Sequence, residues 1–122
     1  MNLRTLLLVA VGAAAGALAR YALGGLAARR VSSRMPLGTL LVNGAGGFVA
    51  GWLGSSAFVA SPAIASLLVT GFCGGLTTFS TFAYETVIRF VEGSREEAWA
   101  NVMWNVMLTV GAAALGGYLA RT

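Results

Sequence analysis

Gly71-Phe-Cys-Gly-Gly-Leu-Thr-Thr-Phe-Ser-Thr-Phe82 decides how this chain folds, because it lies inside a run from Met35 to Tyr84 that holds no charged residue. Its glycines and four hydroxyls therefore fall at membrane depth. Gly74-Gly75 weakens a helix. Thr77, Thr78, Ser80 and Thr81 bring polar groups that hydrocarbon penalises unless protein or an ion path satisfies them. The segment predicts a broken, functional helix, interrupted near residues 74–78.

The rest of the chain reads as membrane protein as well. It has 122 residues, is 57% hydrophobic and 10% charged, and its mean hydropathy is +0.80. A spanning helix needs about 20 mostly apolar residues. The length therefore accommodates four spans with short connections, and residues 1–122 are expected to form a single all-α transmembrane domain. The spans are placed at about 3–27, 37–59, 63–90 and 98–119. In the first, Gly12 and Gly16 have the spacing that lets another helix approach closely, and Gly47 and Gly51 repeat it in the second. Ser61-Pro62 makes the turn into the third, since proline suits a first helical position and disfavours helix in the residue before it. Ser94 and Glu97 form a plausible capping pair ahead of the fourth. Trp99, Trp104 and Tyr118 read as interfacial anchors, with simple packing the alternative for the deeper Trp104.

Composition excludes several functions. There is no histidine, and Cys73 is the only cysteine, so zinc sites, His-based triads and intramolecular disulfides are ruled out. The four acids are glutamates between positions 85 and 97. The isoelectric point near 10.2 comes from scattered arginines that mostly flank apolar segments, which suits a membrane and not a nucleic acid. The first 20 residues imitate a secretory signal, but the chain beyond is equally apolar and Arg20 stands where cleavage would be expected, so they are read as a retained helix. Arg29, Arg30, Arg34, Arg89 and Arg95 outnumber Arg4 and Arg121 at the termini. Taken alone, this bias places both termini outside.

Few residues can carry chemistry. A buried carboxamide at Asn43 can donate to a passing anion, the competing reading being an interhelical hydrogen bond. Asn101, Asn105 and Thr109 recur every four residues and line one helical face, either as a polar track or as a contact with another polar helix. Phe79 and Phe82 face the same way, and a ring edge can stabilise an anion. Ser80 and Thr81 add hydroxyls beside them. Carbonyls freed between Gly74 and Thr78 can hold a small cation. Arg20 snorkels or sets a positive potential at an anion mouth. Glu85 and Arg89 are expected to pair along their helix.

Gly16-Ala-Leu-Ala-Arg-Tyr21, Gly38-Thr-Leu-Leu-Val-Asn-Gly44 and the stretch Gly71 to Phe82, in that order, closely resemble the small fluoride channels called Fluc or CrcB. The resemblance covers essentially the whole chain. It implies an antiparallel, dual-topology homodimer of four-helix subunits in the bacterial inner membrane, with two fluoride pores and a central structural sodium ion. By motif position Asn43 resembles the pore asparagine, Phe79 and Phe82 the pore phenylalanines, Gly74 and Thr77 the carbonyl donors to sodium, and Arg20 the vestibule arginine. Thr39, Ser80 and Thr81 match pore-side hydroxyls. In the last span Asn105 stands where the family has a hydroxyl, and Thr109 keeps one.

The expected function is passive fluoride export that relieves fluoride toxicity, with no enzymatic activity. Partners are a second copy of the chain, membrane lipid and fluoride, with no nucleic acid. Two rivals fit the size. A small dual-topology drug or cation exporter would carry an acid deep in its first helix, and this chain has none there. A non-conducting assembly subunit is the other.

Overall fold

A computed structural model describes the backbone of residues 2–30, 36–59, 61–92 and 95–122, and the side chains of all of these but 28–30 and 58. The described residues are mostly helical. Helix α1 is Leu3–Arg30 and α2 is Leu37–Ser55. A 3-10 turn, Ala57–Val59, leads to α3 at residues 62–76. Helix α4 is Phe79–Val91 and α5 is Arg95–Leu119. Four segments, Leu3–Ala27, Leu37–Ser55, Pro62–Val91 and Arg95–Leu119, are long and apolar enough to cross a bilayer, and the molecule is a multi-pass membrane protein.

Local chemistry sets the helix ends. Ser61 is extended ahead of Pro62, which opens α3 at its first turn. Helix α2 stops at Ser55, short of the expected residue 59: Ser56 is extended, and its backbone N–H and its hydroxyl both donate to the Leu53 carbonyl. In α5 the helix already starts at Arg95, with Glu96 and Glu97 near the positive end of its dipole. The Ser94 cap lies outside the described residues, as do Ser32, Ser33 and Arg34 of the first polar connection.

The interruption in the third span is narrower than the glycines suggest. Gly74 is helical, with φ −63° and ψ −36°, and the helix continues through Leu76. Only Thr77 (ψ 158°) and Thr78 (φ −144°, ψ 114°) are extended. Thr78 then starts α4 as its N-cap, its hydroxyl oxygen accepting from the Thr81 N–H at 3.1 Å. Upstream of the interruption, α3 runs as a wider π-helix over Ser66–Cys73.

Packing follows the small residues. Helix α1 lies along α3, and α2 along α5. A Cβ on Gly12 would collide with the Leu67 carbonyl, one on Gly16 with the Phe72 carbonyl, and one on Gly51 with the Ala113 carbonyl. The backbones therefore touch at these points, which is the close approach that small residues permit in membranes. Helix α4 leans on α5. Glycines aside, the buried described residues are nearly half polar: Thr39, Asn43, Thr78, Asn101 and Asn105 sit beside Leu40, Val42, Leu53, Cys73, Leu76 and Ala98. Large apolar side chains mostly face outward, Trp99, Trp104 and Tyr118 among them. Trp104 is thus directed away from the helix interior and does not fill it.

Candidate functional site

The polar residues converge where α2, α5 and the Thr77-Thr78 interruption meet. Asn43 clamps the interruption: its Oδ1 accepts from the Thr78 N–H at 2.7 Å, and its Nδ2 donates to the Thr78 carbonyl at 3.2 Å. The second Nδ2 hydrogen goes to Asn105 Oδ1 at 3.1 Å. Asn105 in turn donates to the Asn101 carbonyl and Oδ1, at 3.2 and 2.9 Å. Asn101, fully buried, donates to Thr86 Oγ1 at 2.8 Å. Asn43 thus makes the interhelical hydrogen bond posed as one of its readings, and Asn105 and Asn101 of the α5 stripe contact polar residues of α2 and α4.

A groove of about 310 Å³ opens beside this seam. Asn43, Thr77, Phe79, Phe82, Asn105 and Thr109 all line it. The Phe79 and Phe82 rings lie 5.6 Å apart, tilted by 59°, and Phe79 is 79% exposed. The two rings thus form part of the wall, with the Asn43 and Asn105 carboxamides and Thr109 close by. Such a surface can replace part of the water shell of a small anion.

Other expected residues stand apart from the groove. Thr39 is buried and donates to Glu85 Oε1 at 2.8 Å, tying α2 to α4, while Glu85 Oε2 is buried with no hydrogen-bond partner. Arg89 does meet Glu85, with Nη1 on the Glu85 carbonyl at 2.8 Å. Ser80 and Thr81 are exposed and bond to Thr78 Oγ1, at 3.3 and 2.9 Å, as part of the cap. Arg20 reaches from α1 to the Thr77 carbonyl at 3.2 Å. Two roles were not assigned from the sequence, Thr78 as cap and clamp target and Thr86 as acceptor; Asn101, read only as part of the α5 stripe, is the residue that bonds Thr86. A threonine just ahead of an apolar helical turn was the available signal for the first. Nothing in the linear pattern pairs Asn101 with Thr86.

The interruption also frees carbonyls. In a continuous helix the Thr78 N–H would close on Gly74 O and the Thr81 N–H on Thr77 O. The first donates instead to Asn43 and the second to Thr78 Oγ1. Hard oxygens from Gly74 and Thr77 are the donor type that suits a small hard cation. Thr77 O keeps a second lone pair beside its Arg20 bond.

Together the helices and the groove define a polytopic membrane protein with a polar seam at bilayer depth. The chain belongs to the CrcB family: the model described as CrcB-like protein, Camphor Resistance (CrcB), matches residues 7–117. It is 45% identical to the fluoride-specific ion channel FluC of Pyrococcus abyssi, with 99% of each chain aligned. It is 48% identical to fluoride-specific ion channel FluC 1 of Thermobifida fusca over 92% of each, and 44% identical to FluC of Pyrococcus furiosus over 99% of each.

Proposed function

We propose that this chain is a fluoride-selective channel that lets fluoride leave the cell passively across the bacterial cytoplasmic membrane, and so limits fluoride toxicity. The observation that carries the reading is the groove where Asn43, Asn105 and Thr109 stand beside Phe79 and Phe82. It lies in a chain similar along nearly its whole length to proteins named fluoride-specific ion channels. Fluoride is small and holds its water strongly, so its path must offer donors close together. The Asn43 to Asn105 bond, at 3.1 Å, is the one that can yield an N–H to a passing halide without releasing the Thr78 clamp. No coupled ion is required, since a potential negative inside drives anions outward.

The functional unit in this proposal is an antiparallel homodimer with dual topology. A groove open on one side of four helices leaves polar atoms toward lipid, and a second copy closes it. The break of the third span at Thr77-Thr78 is part of the same design, since it frees the Gly74 and Thr77 carbonyls. Two carbonyls per chain become four about a two-fold axis, and they would hold a structural sodium ion there. When bound, sodium supplies a fixed positive charge at the subunit junction. Arg20 adds a positive charge near the groove mouth.

Purified protein in liposomes tests the reading. Electrogenic fluoride efflux is expected, and tight vesicles under good reconstitution would favour a non-conducting subunit. Proton-coupled export of organic cations would instead indicate the exporter. Reporter fusions to the C-terminus are expected to be active on both sides of the membrane, and activity on one side alone would contradict dual insertion.

A further inference from the structure

We infer that Asn101 is a positioning residue for the pore: through Asn105 it fixes which way the carboxamides beside Phe79 and Phe82 point. This rests on the channel reading above. The hydrogen bonds fix one polarity from end to end. The Thr78 backbone N–H can only donate, so the Asn43 atom facing it, at 2.7 Å, is the oxygen. Its Nδ2 then faces Asn105, whose contact atom is the oxygen. Asn105 Nδ2 is therefore turned to Asn101, onto both the carbonyl and Oδ1. Asn101 Nδ2 is left to donate to Thr86 Oγ1 at 2.8 Å, and the Thr86 hydroxyl donates on to the Phe82 carbonyl at 2.8 Å.

The two ends of this relay, the Thr78 N–H and the Phe82 carbonyl, flank the helical turn that carries both phenylalanines. Turning any one amide over would set donor against donor and acceptor against acceptor at its neighbours. Asn101 is 0% exposed and does not line the groove. It therefore acts on a permeating ion through the groups it bonds, Asn105 on one side and, by way of Thr86, the Phe82 turn on the other. Without the Asn101 Oδ1 acceptor, Asn105 loses its shorter 2.9 Å bond and is held only by the 3.2 Å bond to the Asn101 carbonyl and by Asn43, so its carboxamide is positioned less firmly in the groove. The donor set then loses the fixed spacing that discriminates a small halide from a larger one.

The fluoride to chloride permeability ratio, measured in liposomes, is the direct readout, because it does not depend on how many channels fold. In Asn101→Leu and in Thr86→Val, which removes the far anchor of Asn101, the ratio should fall about tenfold, the scale of one lost hydrogen bond. Thr86→Ser keeps the hydroxyl and should restore it. A ratio unchanged in both variants, whatever the total flux, would make Asn101 an ordinary packing contact and overturn the inference alone. If Asn101→Leu yields no folded protein, the Thr86 pair decides by itself. A wild-type chain that passes no fluoride overturns the channel reading, and this inference with it.

Discussion

The α1–α3 seam and the seam joining α2, α4 and α5 share close backbone contacts at glycine and differ in the polar bridges that only the second is shown to carry. Along the first, Gly12 and Gly16 bring backbone onto backbone, so any added atom collides with a carbonyl. Along the second, α2 and α5 also touch through Gly51 and Gly116, but side-chain amides and hydroxyls add bridges, from Thr39 to Glu85 and from Asn43 through Asn105 and Asn101 to Thr86. Lipid tails are as apolar as leucine, so neither seam gains much from hydrophobic burial. Both are held by dispersion at close range and are sensitive to size. The second is held also by paired polar groups and is sensitive to their removal.

The largest effect should come from size in the first seam. Gly16→Leu places a branched side chain against the Phe72 carbonyl and the Leu76 N–H and is expected to cost more than about 3 kcal/mol. Monodisperse protein should not be recovered in detergent. Gly54→Ala, where an added Cβ meets nothing within 4 Å, should instead leave the melting temperature unchanged or raise it, by an effect of about 0.5–1 kcal/mol. Equal behaviour of the two would erase the distinction between touching and open glycines.

Next comes polarity in the second seam. Asn43→Leu leaves the Thr78 N–H and carbonyl buried without their partner. At about 1–3 kcal/mol for each stranded group, thermal stability should fall and fluoride flux should be lost. Asn43→Ala should reduce flux while the proposed dimer still assembles, as checked by size-exclusion chromatography and efflux on the same preparation. Thr39→Val removes the donor to Glu85 Oε1 and should cost about 1–3 kcal/mol for that one stranded acceptor, less than the two backbone groups stranded by Asn43→Leu. If Thr39→Val destabilised more than Asn43→Leu, the polar seam would be centred on Glu85 and not on Thr78. A smaller change is expected at the cap: Thr78→Val removes the acceptor for the Thr81 N–H and should cost about 1 kcal/mol, with Thr78→Ser close to wild type in a thermal melt.

The same contrast explains what could be read from the sequence. Apolar length made the spans visible, and the four-residue spacing of Gly12 and Gly16 announced a close contact, because both depend on local periodicity. Gathering Asn43, Phe79, Phe82, Asn105 and Thr109 at one groove followed from motif resemblance and from depth in the span. The position of the interruption did not follow from the glycines. Gly74 and Gly75 remain helical, and the chain leaves the helix only where Asn43 takes the Thr78 N–H and the Thr78 hydroxyl takes the Thr81 N–H. Those bonds depend on residues separated by 35 positions as well as on neighbours. The Asn101 to Thr86 link has the same character: a four-residue stripe places Asn101 on a face, but only the fold says which hydroxyl lies opposite.

Halide efflux from liposomes bearing the wild-type chain most directly tests whether fixed donors in this groove substitute for the hydration shell of fluoride. The expected result is electrogenic fluoride release that far outpaces chloride release under equal gradients. Vesicles that leak both halides at the rate of protein-free controls, or that release chloride as readily as fluoride, would contradict it.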